Sequence, residues 1–433
     1  MNNPEGTTPE RVQRTYLSLI LLQTLAASLI WGVNTLFLLD AGLSITEAFV
    51  ANAAFTAGMM IFEVPTGVIA DAWGRRASFL LGAGTLLVST VAYLGLWYID
   101  AEIGWWIVTS AFIGLGFTFF SGATEAWLVD ALTATGYSGA IEEVFGKGQT
   151  AVGFATLLGT IGGGFLAQIS LGVPYIARSV LLFALIVAAY LWMHDIGYTP
   201  VRGASVRAAV THIVSASVEH GWRNRPVRLF MLAAPFATGV GIWVFYAFQP
   251  YVLELFGDPE AVYLSGIAAA VYAVAQMIGG ASVNWARRRF ETRTAVILSQ
   301  IAFGAFGLVI VGLAEWFDVP IGFWVAITFL GGIALSGSIA APMQQAYMNE
   351  VIPSAQRATV LSFSSLMGSA GGVVIQPALG KVADVYSLGI GYIVAGIISL
   401  IQFPYIWAVR RLGRSADRVA KPVSAAPPED LAR

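Results

Sequence analysis

The sequence contains no cysteine and few charged residues. Among its 433 residues, Asp, Glu, Lys and Arg together make up 11%, whereas a soluble domain has about 25%. The absence of cysteine excludes disulfides, thiol catalysis and thiolate metal sites. The three histidines, His194, His212 and His220, are too few for a convincing metal site and are not placed for a catalytic triad. We therefore expect no enzyme, no cofactor, no metal and no nucleic-acid partner.

Long apolar segments fill most of the chain. Hydrophobic residues make up 57% and the mean hydropathy is +0.74. A membrane helix needs about 20 mostly apolar residues, and continuous hydrophobicity favours helices over barrel strands, which would alternate. The sequence therefore predicts an all-α membrane protein with twelve transmembrane helices, at residues 16–39, 48–70, 77–98, 104–128, 148–170, 175–194, 228–253, 262–285, 294–314, 319–343, 359–379 and 389–409.

Basic residues predict the orientation of these spans. With both termini in the cytoplasm, only Arg178 and Lys381 of the 23 lysines and arginines fall on the outer side. This is the bias of the positive-inside rule. We expect a multi-pass protein of the cell inner (plasma) membrane, with the lipid bilayer as its surroundings.

The longest polar interruption divides the chain into two six-helix halves. Residues 1–15 are a predicted cytoplasmic N-terminus, followed by a first bundle at 16–194 and a second at 227–411. The intervening segment 195–226 has apolar residues at helical spacing and a basic flank, which predicts an amphipathic helix on the inner membrane surface. The polar, Pro/Ala-rich segment 412–433 is predicted to be disordered.

The two halves look like diverged copies. Glu125-Ala-Trp-Leu-Val-Asp130 parallels Gln345-Ala-Tyr-Met-Asn-Glu350, and Gly164-Phe-Leu-Ala echoes Gly380-Lys-Val-Ala. Gly279 to Arg289 likewise parallels Gly67 to Arg76 in the same order. Such repeats indicate duplication, and they predict two pseudo-symmetric six-helix bundles.

The turn between the second and third spans carries Gly67-Val-Ile-Ala-Asp71-Ala-Trp-Gly74-Arg75-Arg76. A short loop between membrane helices rarely needs an acid, glycines that allow a tight turn and two arginines in that order. The stretch resembles the loop signature of the major facilitator superfamily, G-x-x-x-D-x-x-G-R-R/K. This resemblance covers nearly the whole chain and implies a secondary transporter, usually monomeric, in which two helical bundles rock about a central site.

The resemblance also implies a charged gate at the inner side. Asp130 ends the fourth span beside the motif loop, and in the second half Arg287 and Arg288 are expected to face Glu350, with Arg357 seven residues further on. The predicted inner-gate residues are Gly67, Asp71, Gly74, Arg75, Arg76, Asp130, Arg287, Arg288, Glu350 and Arg357. The alternative is that the arginines only set the topology.

Two acids inside spans are candidates for proton coupling. Glu63 precedes Pro65 in the second span and Glu125 lies in the fourth span. An ionisable group in a span is costly and usually faces a cavity, and burial of a carboxyl favours proton exchange near neutral pH. The alternative is that each carboxyl only bonds a neighbouring helix.

Polar and aromatic residues at mid-span are candidates for a substrate cavity. They are Asn34, Trp127, Tyr246, Gln249, Tyr272 and Gln276, each of which could serve helix packing instead. Arg178 sits near the outer end of the sixth span and is expected to extend its charged group to the interface, the alternative being contact with an anionic substrate.

These features favour proton-coupled efflux of small hydrophobic or amphipathic compounds. The glycines of the fifth span resemble the antiporter signature of drug-efflux members, although its proline and the usual fourth-span arginine are missing. The alternatives are a proton symporter or uniporter that imports a polar nutrient or metabolite, and a transporter-like receptor without flux. Importers of sugars or organic ions usually place several polar groups at mid-membrane, and this chain has few.

Overall fold

Helices joined by short turns make up the molecule. The computed structural model describes residues 7–199 and 205–419, and within these ranges it contains no β-strand, only one isolated bridge between Thr292 and Arg418. The helices of the first half are α1 (Pro9–Ser28), α2 (Asn34–Asp40), α3 (Ile45–Trp73), α4 (Arg75–Tyr98), α5 (Ile103–Thr118), α6 (Ala123–Ala134), α7 (Ile141–Ala167) and α8 (Val173–Trp192).

The second half begins after a shorter helix, α9 (Val206–Ala216), and a π-helical turn at Ser217–Trp222. Both lie within the predicted amphipathic segment. The remaining helices are α10 (Arg225–Phe256), α11 (Tyr263–Ala281), α12 (Val283–Arg289), α13 (Arg293–Leu313), α14 (Ile321–Val351), α15 (Arg357–Val385), α16 (Leu388–Ser399) and α17 (Gln402–Arg411).

Eleven helical segments of the described chain are long and apolar enough to cross a membrane. Two of them join consecutive helices, α5 with α6 and α16 with α17. The eleven segments correspond in position to eleven of the twelve predicted spans, so the all-helical membrane architecture is confirmed.

The first predicted span, 16–39, differs from the prediction because its helix is divided. Helix α1 ends at Ser28 and α2 begins at Asn34, so the chain turns between them. Helix α1 begins earlier than predicted, at Pro9, where the Thr8 hydroxyl accepts the Arg11 N–H and caps the helix. Helix α1 is not among the eleven apolar segments because its first turn is polar. Helix α2 is not among them because it has only seven residues.

Apolar side chains bury the inner faces of each half. One cluster of buried side chains runs from Val12 to Ile196, and two further clusters lie in the second half, one of which also takes in Phe49. Residues of α3 contact α15, those of α7 contact α11, and those of α2 contact α10, which joins the two halves. A Cβ added to Gly266 of α11 would lie 2.7 Å from the Cα of Gly164 of α7, so only glycine permits this approach.

The end of the described chain packs against the second half. Ala416 and Asp417 lie in a 3-10 turn, Ser415–Asp417, and each is 4% exposed. The prediction that disorder begins at residue 412 is therefore wrong for residues 412–419, because Asp417 finds buried partners on α13. The rest of the predicted tail and residues 1–6 lie outside the described residues.

Candidate functional site

A cavity of about 420 Å³ lies at the centre of the molecule, close to the break between α1 and α2. Its walls come from the break itself and from α2–α5, α8 and α10. Most of the wall is apolar or aromatic, formed by Ile30, Trp31, Phe55, Met59, Ile113, Phe117, Phe245 and Tyr246. Such a wall suits a ligand with a substantial hydrophobic surface.

A short line of polar groups occupies one side of this central cavity. The Tyr175 hydroxyl donates to Asn34 Oδ1 at 2.9 Å, and Asn34 Nδ2 donates to Asn52 Oδ1 at 2.9 Å. Tyr93 pairs with the Ser110 hydroxyl nearby. Asn34, Asn52 and Tyr93 line the cavity, so the wall offers fixed hydrogen-bonding groups at a few points.

Arg178 also lines the central cavity and is 1% exposed. Its Nε donates to Thr90 Oγ1 at 3.1 Å, and its Nη1 donates to the carbonyl oxygen of Ala26 at 3.3 Å. The side chain therefore points into the molecule. This orientation differs from the expectation that its charged group extends to the membrane interface. Its neighbours on α8 at helical spacing, Tyr175 and Leu182, are buried too, a pattern that the sequence already contains.

The predicted cavity residues do not all meet. Asn34 and Tyr246 line the central cavity. Trp127 is buried elsewhere and donates its indole N–H to the carbonyl oxygen of His194 at 2.7 Å. Tyr272 lines smaller pockets around α10, α11 and α14, and Gln276 is exposed one turn further along α11.

Gln249 bonds the break between α1 and α2. Its Nε2 donates to the carbonyl oxygen of Trp31 at 2.9 Å, and its Oε1 accepts the backbone N–H of Thr35 at 2.6 Å. The side chain is completely buried and is not part of the cavity wall. Gln249 thus satisfies backbone groups that an unbroken helix would have paired internally.

The two predicted proton-coupling acids lie closer to one end of the molecule. Glu63 lies one helical turn beyond Met59 of the cavity wall, is half-buried and accepts the Ser121 hydroxyl at 2.7 Å. Glu125 is exposed near the start of α6. Neither acid lines the central cavity.

The glycine-and-arginine motif forms a compact corner between α3 and α4. Asp71, near the end of α3, and Arg75, the first residue of α4, form an ion pair of 2.7 Å across this corner. Gly74 has φ of +111°, and a Cβ at this position would lie 2.3 Å from Asp195 Oδ2, so the turn requires glycine. Gly67 has open space beside it.

Asp195 and Tyr198, from the segment after α8, hold this corner. Asp195 Oδ1 accepts the backbone N–H of Arg76 at 2.8 Å, and the Tyr198 hydroxyl donates to the carbonyl oxygen of Asp71 at 2.6 Å. Partial burial, together with the Asp195 carboxylate, raises the pKa of the Tyr198 phenol, so the phenol remains a donor at neutral pH. Asp130 lies near Arg75 without a direct ion pair.

The equivalent corner of the second half uses different pairs. Glu350 pairs with Arg293 rather than with Arg287 or Arg288. Asp417 accepts the backbone N–H of Thr294 at 2.8 Å and its hydroxyl at 2.7 Å. Arg287 approaches Asn284 at 3.5 Å, Arg288 is exposed, and Arg357 begins α15 without an ion pair to any described residue.

The hydrogen bonds that join the two halves are unequally distributed between the two ends of the molecule. We call the end with the corners around Arg75 and Arg293 the arginine-rich end, and the opposite end the arginine-poor end. The hydrogen bonds that join the halves between described residues all lie at mid-molecule or towards the arginine-poor end: Thr35 to Tyr246 and Gln249, Trp31 to Gln249, Thr46 to Asp384, Thr56 to Gln376, and Gln168 to Glu260 and Tyr263. No ion pair between described residues joins the halves at the arginine-rich end.

A model of the Major Facilitator Superfamily matches residues 16–336. The chain belongs to this superfamily. Its members are membrane transporters rather than enzymes, which agrees with the expectation from the motif around Asp71.

Two curated relatives in the superfamily match most of the chain. The uncharacterized MFS-type transporter YxaM of Bacillus subtilis (strain 168) is 21% identical, over 89% of this chain and 93% of that protein. The tetracycline resistance protein, class C, of Escherichia coli is 23% identical, over 80% of this chain and 82% of that protein.

Solved structures of other transporters share the fold. The nucleoside transporter NupG has a TM-score of 0.77 at 10% identity, covering 92% of this chain and 99% of that chain. A D-xylose–proton symporter has a TM-score of 0.67 at 15% identity, covering 92% of this chain and 96% of that chain. At these identities the likeness concerns the fold alone.

Sequence reasoning missed Asp195, Asp417 and Asn52. Asp195 and Asp417 each follow the last helix of their half. Asp195 lies about as far along the sequence from the start of α4 as Asp417 lies from the start of α13. A comparison of the two halves beyond the three motifs would therefore have found both acids. Asn52 lies seven residues before Met59 on α3, on the same helical face, and that spacing could have marked it.

Proposed function

We propose that this chain is a secondary active transporter that works by alternating access and exports small hydrophobic or amphipathic compounds in exchange for protons. The observation that carries the proposal is the central cavity, whose walls are mainly apolar and aromatic and whose few polar groups belong to Asn34, Asn52, Tyr93, Tyr246 and Arg178. A polar nutrient would need more hydrogen-bonding partners than this wall supplies.

The distribution of contacts supports alternating access. We infer that the arginine-rich end faces the cytoplasm, because Lys and Arg concentrate there. The halves bond to each other at mid-molecule and towards the arginine-poor end, which corresponds to an inward-facing state. Rocking of the halves would then close the arginine-rich end and open the other.

In the outward-facing state, we propose that the corner residues form the inner gate. Asp71, Arg75, Arg76 and Asp130 of the first half, with Arg287, Arg288, Glu350 and Arg357 of the second half, lie at the arginine-rich end. Each exposed ion pair stabilises by only about 0–1 kcal/mol. A network of several pairs is enough to bias two states whose free energies differ by a few kcal/mol.

Proton coupling is assigned to Glu125 and Glu63. Both are carboxyls near the proposed cytoplasmic opening, and Glu125 is exposed in this state. In the closed state the same carboxyls would be shielded from the cytoplasm, so their exchange of protons with that side would depend on the conformational change. Export direction is further supported by the relative that is a tetracycline resistance protein.

Accumulation of lipophilic fluorescent compounds in a pump-deficient bacterial host tests this proposal. Cells that express the chain should accumulate less of at least one compound than cells without it, and a protonophore should abolish the difference. Glu125→Gln should behave like the empty host, whereas Glu142→Gln, an exposed acid on α7, should export normally. Equal accumulation of every compound would contradict export, and a difference that survives the protonophore and Glu125→Gln would contradict proton coupling.

A further inference from the structure

Arg178 is a buried cation in the wall of the proposed substrate site, so the inference drawn from it rests on the function proposed above. It is 1% exposed and lies within the span Val173–Trp192. A charged group inside a membrane span is costly, and such residues usually pair with an opposite charge or face a functional cavity. The partners of Arg178 therefore decide whether its charge is neutralised within the protein or is available to a ligand.

No carboxylate accompanies Arg178. The titratable groups that act on it electrostatically are the phenols of Tyr93, Tyr175 and Tyr246, all neutral at physiological pH. None of the residues that line the central cavity is Asp or Glu. The cavity wall thus carries one formal positive charge and no formal negative charge.

The hydrogen bonds of Arg178 leave part of the guanidinium without a partner. Nε and Nη1 donate to Thr90 and to the last carbonyl groups of α1, at Ala26 and Ala27. These bonds fix the orientation of the side chain and complement the negative end of the α1 dipole. Nη2 has no acceptor among the described residues.

Asn52 supplies a second donor without an acceptor in the same wall. Its Oδ1 accepts from Asn34, whereas its Nδ2 has no partner among the described residues. Both unpaired groups are donors, and both belong to residues of one cavity. A ligand that presents oxygen acceptors would satisfy them, and an anionic acceptor forms the stronger bond to a guanidinium.

We propose that the central cavity selects amphipathic organic anions. A carboxylate or a comparable acidic oxygen group of the ligand lies toward Arg178 and Asn52, and its apolar body lies against aromatic side chains such as Trp31, Phe55 and Phe117. The volume of about 420 Å³ suits a compound of drug size. Arg178 is then a specificity-determining residue, and its hydrogen bonds to α1 hold the guanidinium in place for the ligand.

Three dansyl probes with the same alkyl chain test this selection. They end in a carboxylate, a carboxamide or an ammonium group, so they differ only in charge. Binding of each is measured by fluorescence titration of the purified full-length protein in lipid nanodiscs, which needs no transport. We expect the carboxylate to bind tighter than the carboxamide by on the order of tenfold, and the ammonium probe to bind most weakly.

Two cavity variants and one control separate charge recognition from structural support. Arg178→Gln should remove the preference for the carboxylate while the carboxamide binds within about twofold of the wild type. Asn52→Asp leaves the bonds of Arg178 to Thr90 and Ala26 in place but adds a negative charge that neutralises the wall, and it should remove the preference for the carboxylate probe. Arg14→Gln, at an exposed arginine of α1, should retain the wild-type order.

The outcomes distinguish this inference from the proposed function. If all three probes bind wild type equally, or if Arg178→Gln weakens all three equally, Arg178 is only structural and anion selection is overturned, while a site for hydrophobic compounds stands. If no probe binds, both the inference and the proposed substrate class are contradicted. If Arg178→Gln does not fold, Asn52→Asp still decides the matter, because an unchanged preference for the carboxylate probe in that variant would overturn anion selection.

Discussion

At the residue scale, the two halves share an acid that the sequence motifs do not include. Asp195 follows α8 and accepts the backbone N–H of Arg76, the second residue of α4. Asp417 follows α17 and accepts the backbone N–H of Thr294, the second residue of α13. Each acid therefore satisfies a free N–H at a helix start and lies at the positive end of a helix dipole. The equivalence extends the internal repeat to the ends of both halves.

Removal of these acids should destabilise the protein. Asp195→Ala should lower the free energy of unfolding by about 0.5–2 kcal/mol, the usual loss for a capping side chain. Asp417→Ala should cost more, about 1–3 kcal/mol, because Asp417 is buried and also accepts the Thr294 hydroxyl. Thermal unfolding of the purified protein in detergent measures both.

The matched controls are Asp195→Asn and Asp417→Asn, which keep an acceptor oxygen and should lose less than the alanine variants. Glu142→Ala, at an exposed acid in the first turn of α7, should change the unfolding temperature least. An Asp417→Ala protein as stable as the wild type would refute the capping role.

At the element scale, the divided first helix organises the central site. The turn between α1 and α2 leaves backbone groups unpaired, and Gln249 of α10 binds two of them, at Trp31 and Thr35. Arg178 of α8 binds the last carbonyls of α1. Because Trp31 and Asn34 lie at this break and also line the cavity, the break brings side chains of both halves to one place.

Gln249→Leu should destabilise the protein far more than Gln276→Leu. Leucine at 249 leaves the Thr35 N–H and the Trp31 carbonyl without partners in a buried position, which costs about 1–3 kcal/mol for each group. Gln276 is exposed on α11, so the same substitution there serves as the control. The unfolding temperatures of the two variants measure the difference, and equal values would contradict the role of Gln249 at the break.

The spans and the motif corner were predictable from the sequence, whereas the contacts across the fold were not. Apolar length determines where a helix can cross a membrane, and the order of Asp71, Gly74 and Arg75 already indicated a charged tight turn. The break at 29–33 lies within an apolar run and leaves no trace in hydropathy. The position of a residue in the sequence gives its depth along a span but not the rotation or packing of the helix. The side-chain direction of Arg178 and the pairing of Glu350 with Arg293 depend on that rotation and packing.

At the scale of the whole molecule, the contacts between the halves are unequal at the two ends. Towards the arginine-poor end, Thr46 of α3 donates to Asp384 of α15 at 2.8 Å, and Gln168 of α7 donates to the carbonyl of Glu260 at 2.6 Å. Gly164 and Gly266 also meet, close to Gly32 of the break. The proposed alternating access requires these contacts to separate in every cycle, so the free energy that holds them must be small compared with what ligand binding can supply.

A disulfide between Thr46→Cys and Asp384→Cys should therefore stop transport reversibly. The two short side chains are hydrogen-bonded, which brings their backbones close to the range that a disulfide spans, and the natural chain has no cysteine to interfere. Oxidation should abolish export of a transported compound but leave its binding from the arginine-rich end intact, because the disulfide would hold the proposed inward-facing state. A reducing agent should restore export, and either cysteine alone should be insensitive to oxidation. Full export by the oxidised double variant would contradict opening at this end, and loss of binding on oxidation would contradict access from the other.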